Sequence, residues 1–145
     1  MRMTPDERAR RCAEILWERD EASRALGIEL EWVSAGGARC SLLVESRHAN
    51  GHGICHGGIV FMLADTAFAF ACNGYNRATV AQHDSITFVD PARVGERLYA
   101  EASESSLRGR SGVYDVHVTR EDGETVALFR GCSRVIDGNF FDEER

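Results

Sequence analysis

Gly57-Gly58-Ile59-Val60-Phe61-Met62-Leu63-Ala64-Asp65-Thr66-Ala67-Phe68-Ala69-Phe70-Ala71-Cys72 is apolar all round except at Asp65 and Thr66, and Asn73-Gly74 follows as a stop. A membrane span needs ~20 residues and seldom tolerates a mid-span carboxylate, so that reading fails. What is left is a central helix buried on every side. Upstream, residues 47–55 hold Asn50-Gly51-His52-Gly53 and suit neither a helix nor a regular strand. Before that the period is two. Ile28, Leu30 and Trp32 alternate with Glu29 and Glu31, Ala35-Gly36-Gly37 turns, and Cys40, Leu42 and Val44 continue the alternation. Thr4-Pro5-Asp6-Glu7 is a capping box opening an amphipathic helix through Ala9, Cys12, Ile15, Leu16 and Arg19, with a stop at Gly27.

Downstream the chain reads as strands at 79–81, 86–89, 98–102, 113–119 and 125–130, with Glu121-Asp122-Gly123 a hairpin turn between the last two. The sum is one α+β domain over 1–145 with its core at about 24–138: an antiparallel sheet wrapped around one apolar helix, preceded by an amphipathic helix. A single sheet covers one face of that helix. The residues three and four positions from Asp65 (Phe61, Met62, Phe68, Ala69) are apolar too, and a chain of 145 residues has little else to cover them. A homo-oligomer is therefore expected.

Composition narrows the function classes. The chain is 43% hydrophobic and 28% charged with two prolines, which excludes a disordered linker. A formal charge of -6 argues against nucleic acid as a partner. Five scattered cysteines without a C-x-x-C pair suggest neither a disulfide framework nor a thiolate zinc site. Free thiols and a charged start without a secretory apolar region point to the cytoplasm and away from membranes.

Asn50-Gly51-His52, His56-Gly57-Gly58 and Leu63-Ala64-Asp65-Thr66-Ala67-Phe68-Ala69 together resemble the signature of hotdog-fold acyl-CoA thioesterases, most closely the phenylacetate-degradation, PaaI-type branch. Ser111-Gly112-Val113-Tyr114-Asp115 and Val126-Ala127-Leu128-Phe129-Arg130-Gly131 share that resemblance, which runs over nearly the whole chain. It implies a hotdog dimer, usually paired into a homotetramer, that hydrolyses aryl- or hydroxyaryl-acetyl thioesters of coenzyme A without a cofactor or metal. It further implies that Asp65 acts as nucleophile or general base, while Asn50 and the His56-Gly57-Gly58 segment of the facing subunit hold the thioester carbonyl.

The residue chemistry supports parts of this. An ionised, unpaired carboxylate in an apolar helix costs several kcal/mol, so Asp65 must be paired, neutralised or open to a cavity. Desolvation raises its proton affinity, which suits a base. Gly57 falls where the helix begins, with unsatisfied N–H groups and no Cβ to keep a carbonyl away, although Gly57-Gly58 also permits tight packing. Asn50 suits an oxyanion donor or a turn residue equally well. Thr66 either binds the attacking water or bonds back to its own helix. His48, His52 and His56 have ligand-like spacing, but Gly51 and Gly53 interrupt any helix that would align them, so no metal is expected; His56 is read as positioning the oxyanion loop or contacting substrate. Coenzyme A phosphates require cations, for which Arg108-Gly109-Arg110-Ser111 and Arg93 are the candidates. Two departures stand out: Asp90 replaces the basic residue many relatives carry before the proline, and His83-Asp84 replaces small residues. Two rivals are a non-catalytic acyl-CoA-binding protein, which gives no reason to keep Asp65, and a hotdog dehydratase, which needs a histidine base.

Overall fold

The computed structural model describes residues 2–143. In chain order its elements are α1 (Pro5–Arg19), α2 (Glu21–Leu26), β1 (Glu29–Ser34), β2 (Gly37–Leu43), a single 3-10 turn (Ser46–His48), α3 (Gly57–Cys72), β3 (Thr79–Phe88), β4 (Arg97–Arg108), β5 (Ser111–Arg120) and β6 (Thr125–Val135). The six strands form one antiparallel sheet ordered β1-β2-β4-β5-β6-β3. Hairpins join β1 to β2, β4 to β5 and β5 to β6. α3 carries the chain from β2 to the far edge, so β3 ends up beside the last strand, and residues 89–96 return it to β4 beside β2.

Burial explains why α3 lies against the concave face. Leu63, Ala64, Ala67 and Ala71 are fully buried, and the small residues let the helix approach the sheet. Phe68 sits over Gly131, where an added Cβ would come within 2.7 Å of the ring, and it meets Tyr114 and Phe129 at centroid distances of 5.6 and 5.9 Å. The opposite stripe, Gly58, Phe61, Met62, Asp65 and Ala69, stays partly or fully exposed. Phe68 is thus a sheet-side residue and does not flank Asp65 on the uncovered face, as its spacing had suggested.

Three local readings need correction. The N-terminal helix does not run unbroken to Gly27: Asp20 closes α1 and caps α2, accepting the Ser23 N–H at 3.0 Å. In β1 a bulge between Leu30 and Trp32 reverses the alternation, so Val33 is buried and Trp32 is 42% exposed. The segments 79–81 and 86–89 are one strand, β3, with a bulge between Ala81 and His83. That bulge decides which side chains of β3 meet α3.

Candidate active site

Backbone demands shape the loop ahead of α3. His48 is buried; its Nδ1 accepts the Glu45 N–H at 2.9 Å, which leaves Nε2 to donate to the Leu26 carbonyl at 2.8 Å. It is a neutral structural histidine. Asn50 holds its own turn: its Oδ1 accepts the His52 N–H at 2.9 Å and the Ile54 N–H at 3.4 Å. The side-chain amide donor is left without a partner among the described residues. His52 is exposed in that turn. His56 is the N-cap of α3, with Nδ1 accepting the Gly58 N–H at 2.8 Å, while its carbonyl accepts from Ile59 and Val60. At this helix end, where donors outnumber acceptors, the Gly57 N–H is the one left over.

Gly57 lines a cavity of about 310 Å³ together with Asn50, Val60, Phe88, Val89, Asp90 and Val126 among others. Two unused donors, the Gly57 N–H and the Asn50 amide, therefore share one apolar hollow at the positive end of a helix. Donors placed in this way can stabilise a developing oxyanion. The hollow is narrow at Gly57, where a Cβ would stand 3.0 Å from the Phe88 ring.

Asp65 lies one face round and further along α3. Among the described residues it has no arginine partner; what it meets is Asp84 of β3. Each carboxyl group carries a buried Oδ1 without a hydrogen-bond donor, and the two side chains are within hydrogen-bonding reach of each other. Burial, followed by the hydrogen bond and the like charge of Asp84, pushes the Asp65 carboxyl up to about 7 from 3.8. The Cys72 thiol is pushed up to about 12, by burial above all. It is an inert packing group, as is Cys55 at about 11.

Not every candidate converges here. Gly57 and Asp65 are eight residues apart on one helix, so ~12 Å of axial rise separates them within a protomer. Thr66 faces away: its Oγ1 lies 3.0 Å from Ser23 Oγ, buried against α2. Arg93 stands at the mouth, next to Ala92 of the cavity wall. The turn Arg108-Gly109-Arg110-Ser111 does not: through Ser111↔Arg134 and Arg134↔Val80 it sits at the opposite end of the sheet from Phe88, about 25 Å away along the strands. Asp90 is ion-paired to Arg120, which also donates to the Pro91 carbonyl at 3.0 Å and lies near Glu96 and Asp122. This rim is acidic. Asp84 and Phe88 are the site residues that spacing alone missed, because the bulge that turns them inward has no signal in the alternation.

Comparisons with known proteins identify the family. The Thioesterase superfamily family matches residues 52–127. Escherichia coli (strain K12) acyl-coenzyme A thioesterase PaaI is 40% identical over 131 residues, 90% of this chain and 94% of the relative. The solved structure of the E. coli PaaI protein from the phenylacetic acid degradation operon superposes with a TM-score of 0.92 at 39% identity, covering 94% of this chain and 99% of the other. A mutant structure of the phenylacetic acid degradation protein PaaI from Thermus thermophilus gives 0.76 at 35% identity over 79% and 97% of the two chains. By the family match, the identity over nearly the whole chain and the superposition, this chain belongs to the thioesterase superfamily, among the hotdog-fold acyl-CoA thioesterases of the PaaI type.

Proposed function

We propose that the chain hydrolyses aryl- or hydroxyaryl-acetyl-CoA thioesters, phenylacetyl-CoA among them, at sites built from two copies. The observation that carries this reading is the pair of half-sites on one helix. A carboxylate with raised proton affinity and a leftover helix-start N–H are both on α3, yet ~12 Å apart. A two-fold axis passing near Phe61, midway between them, sets Gly57 of one copy level with Asp65 of the other. The half-exposed stripe of Phe61, Met62 and Ala69 is the surface such a pairing covers, and the unpaired outer edge of β3 offers a second seam.

In this arrangement the thioester carbonyl lies against the Gly57 N–H and the Asn50 amide. Asp65 of the facing copy takes a proton from water as the water oxygen bonds to the carbonyl carbon. The C–S bond then breaks, the coenzyme A sulfur takes up the proton, and the free acid leaves. Water activation is favoured over direct attack because a carboxylate of raised proton affinity is a better base. His56 serves as the cap that orients the donors. Arg93 of one copy and the Arg108–Ser111 turn of a facing copy are the cations available for phosphate. Four buried thiols and one half-buried suit a reducing cytoplasm, and no helix among the described residues is long and apolar enough to cross a membrane.

Incubation with phenylacetyl-CoA and a free-thiol reagent tests the proposal. Thiol release that Asp65→Asn abolishes, with the oligomer intact, is the expected result. Unchanged release by the variant would remove the mechanism, and release confined to aliphatic thioesters would remove the substrate class.

A further inference from the structure

We propose that Asp84 is a positioning residue for this reaction: it shares one proton with Asp65 and thereby sets the pH range over which Asp65 can accept a proton from water. The inference rests on Asp65 being the base and goes beyond it, since Asp84 touches the base and not the thioester.

The geometry comes from the strand. The bulge between Ala81 and His83 puts Asp84 opposite Gly131 and Ile86 opposite Phe129, on the side of β3 that faces α3. Gly131, opposite Asp84, has no side chain, and the Phe68 ring of α3 lies directly over it. The Asp84 carboxyl comes within hydrogen-bonding reach of Asp65, and each acid keeps an Oδ1 buried without a donor. Two acceptors in contact, with nothing to donate between them, are stable only when a proton lies between them.

Within one copy, the described residues around the pair supply no cation that could replace the proton. On α3 the other titratable group is Cys72. On β6, Arg130, Cys132 and Arg134 belong to the outer face, where Arg130 pairs with Asp115 at 2.7 and 3.0 Å. On β5, the inward Tyr114 hydroxyl donates to Glu104 at 3.1 Å. On β3, His83 is exposed on the outer face, and beyond the strand Asp90 is held by Arg120. Among the described residues the pair is left with itself, in keeping with the upward displacement of Asp65.

The test is the pH dependence of kcat/KM for thiol release from phenylacetyl-CoA, in the wild type, Asp84→Asn and Asp84→Glu, together with 13C-carboxyl NMR titration of aspartate-labelled protein. In the wild type the rate should rise with an apparent pKa near 7. Asp84→Asn should move that limb towards the ordinary carboxylate range, raising the rate at pH 5.5, as a fraction of its own plateau, at least ~10-fold. Asp84→Glu should leave the limb in place. The NMR titration should show the pair losing its protons in two well-separated steps. If Asp84 were merely structural, Asp84→Asn would lower the rate equally at every pH; that result, or both carboxyls titrating together near 4, would overturn the proposal. Thiol release surviving Asp65→Asn would overturn the assignment of the base, whereas release lost in Asp65→Asn with an unmoved limb in Asp84→Asn would overturn only the role of Asp84.

Discussion

Gly57→Ala separates a glycine needed for chemistry from one needed for packing. The added methyl would stand 3.0, 3.4 and 3.5 Å from three atoms of the Phe88 ring, where ordinary contact begins near 3.4 Å. The ring must therefore give by a few tenths of an ångström. Phe88 is 54% exposed at the end of β3, so it can turn, at a cost of about 0.5–1.5 kcal/mol for an off-rotamer side chain. The higher helix propensity of alanine offsets up to ~1 kcal/mol of that. Stability should consequently stay within about 1 kcal/mol of wild type in urea unfolding. The rate should not survive so well. The methyl occupies the hollow in front of the Gly57 N–H, and losing one oxyanion donor costs roughly 3 kcal/mol of barrier, about 100-fold in kcat. Thiol-release kinetics read this directly, and Phe88→Ala in the Gly57→Ala background should restore the packing but not the rate. A Gly57→Ala enzyme within twofold of wild-type kcat would refute the oxyanion role and leave Gly57 as a packing residue.

Other outcomes follow from the same structure. The Asp65 carboxyl is displaced upward in the fold, so the native chain binds more protons than the unfolded one between pH 4 and 7, and its contribution, present below pH 4, is lost as pH rises through about 7. The full displacement corresponds to ~4 kcal/mol, which solvent at this half-buried site cuts to ~1–2 kcal/mol; relative to Asp65→Asn at matched protein concentration, the wild type should lose that amount in urea unfolding between pH 5 and pH 8. Asn50→Asp keeps the acceptor that the His52 and Ile54 N–H groups use but removes the amide donor, so thermal unfolding should barely change while thiol release falls ~10-fold or more. Val33→Ala should cost about 1–2 kcal/mol and Trp32→Ala less, despite the larger side chain, because only Val33 is buried.

The parts of this molecule that could be read from its sequence are those fixed by residue type alone. The run from Gly57 to Cys72 can only be a buried helix, and a lone acid in it must either do chemistry or find a partner. The capping box at Thr4 and the turn at Gly123 are local, and the structure reproduces both. What escaped depends on single-residue insertions. The bulge after Leu30 exchanges the exposure of Trp32 and Val33, and the bulge at Gln82 turns Asp84 and Phe88 towards α3. An extra residue in a strand leaves the local alternation plausible on both sides, so the partner of Asp65 was invisible until β3 was seen paired with β6. Asp90 was legible as a departure, but its bond to Arg120 is thirty residues away in sequence. Charge alone makes the Arg108–Ser111 turn a phosphate candidate, and only the hairpin register shows that it lies at the far end of the sheet.

Mixing copies tests the composite site most directly. Asp65→Asn and Gly57→Ala chains, each impaired on its own, are unfolded together, refolded in equal amounts and assayed for thiol release. If one copy supplies the acid and its neighbour the N–H, half the pairs are mixed and each has one intact site of two, so activity should return to about a quarter of wild type. Activity that stays at the average of the two separate variants would mean that each chain works with its own Gly57 and Asp65, and the two-copy site would be wrong.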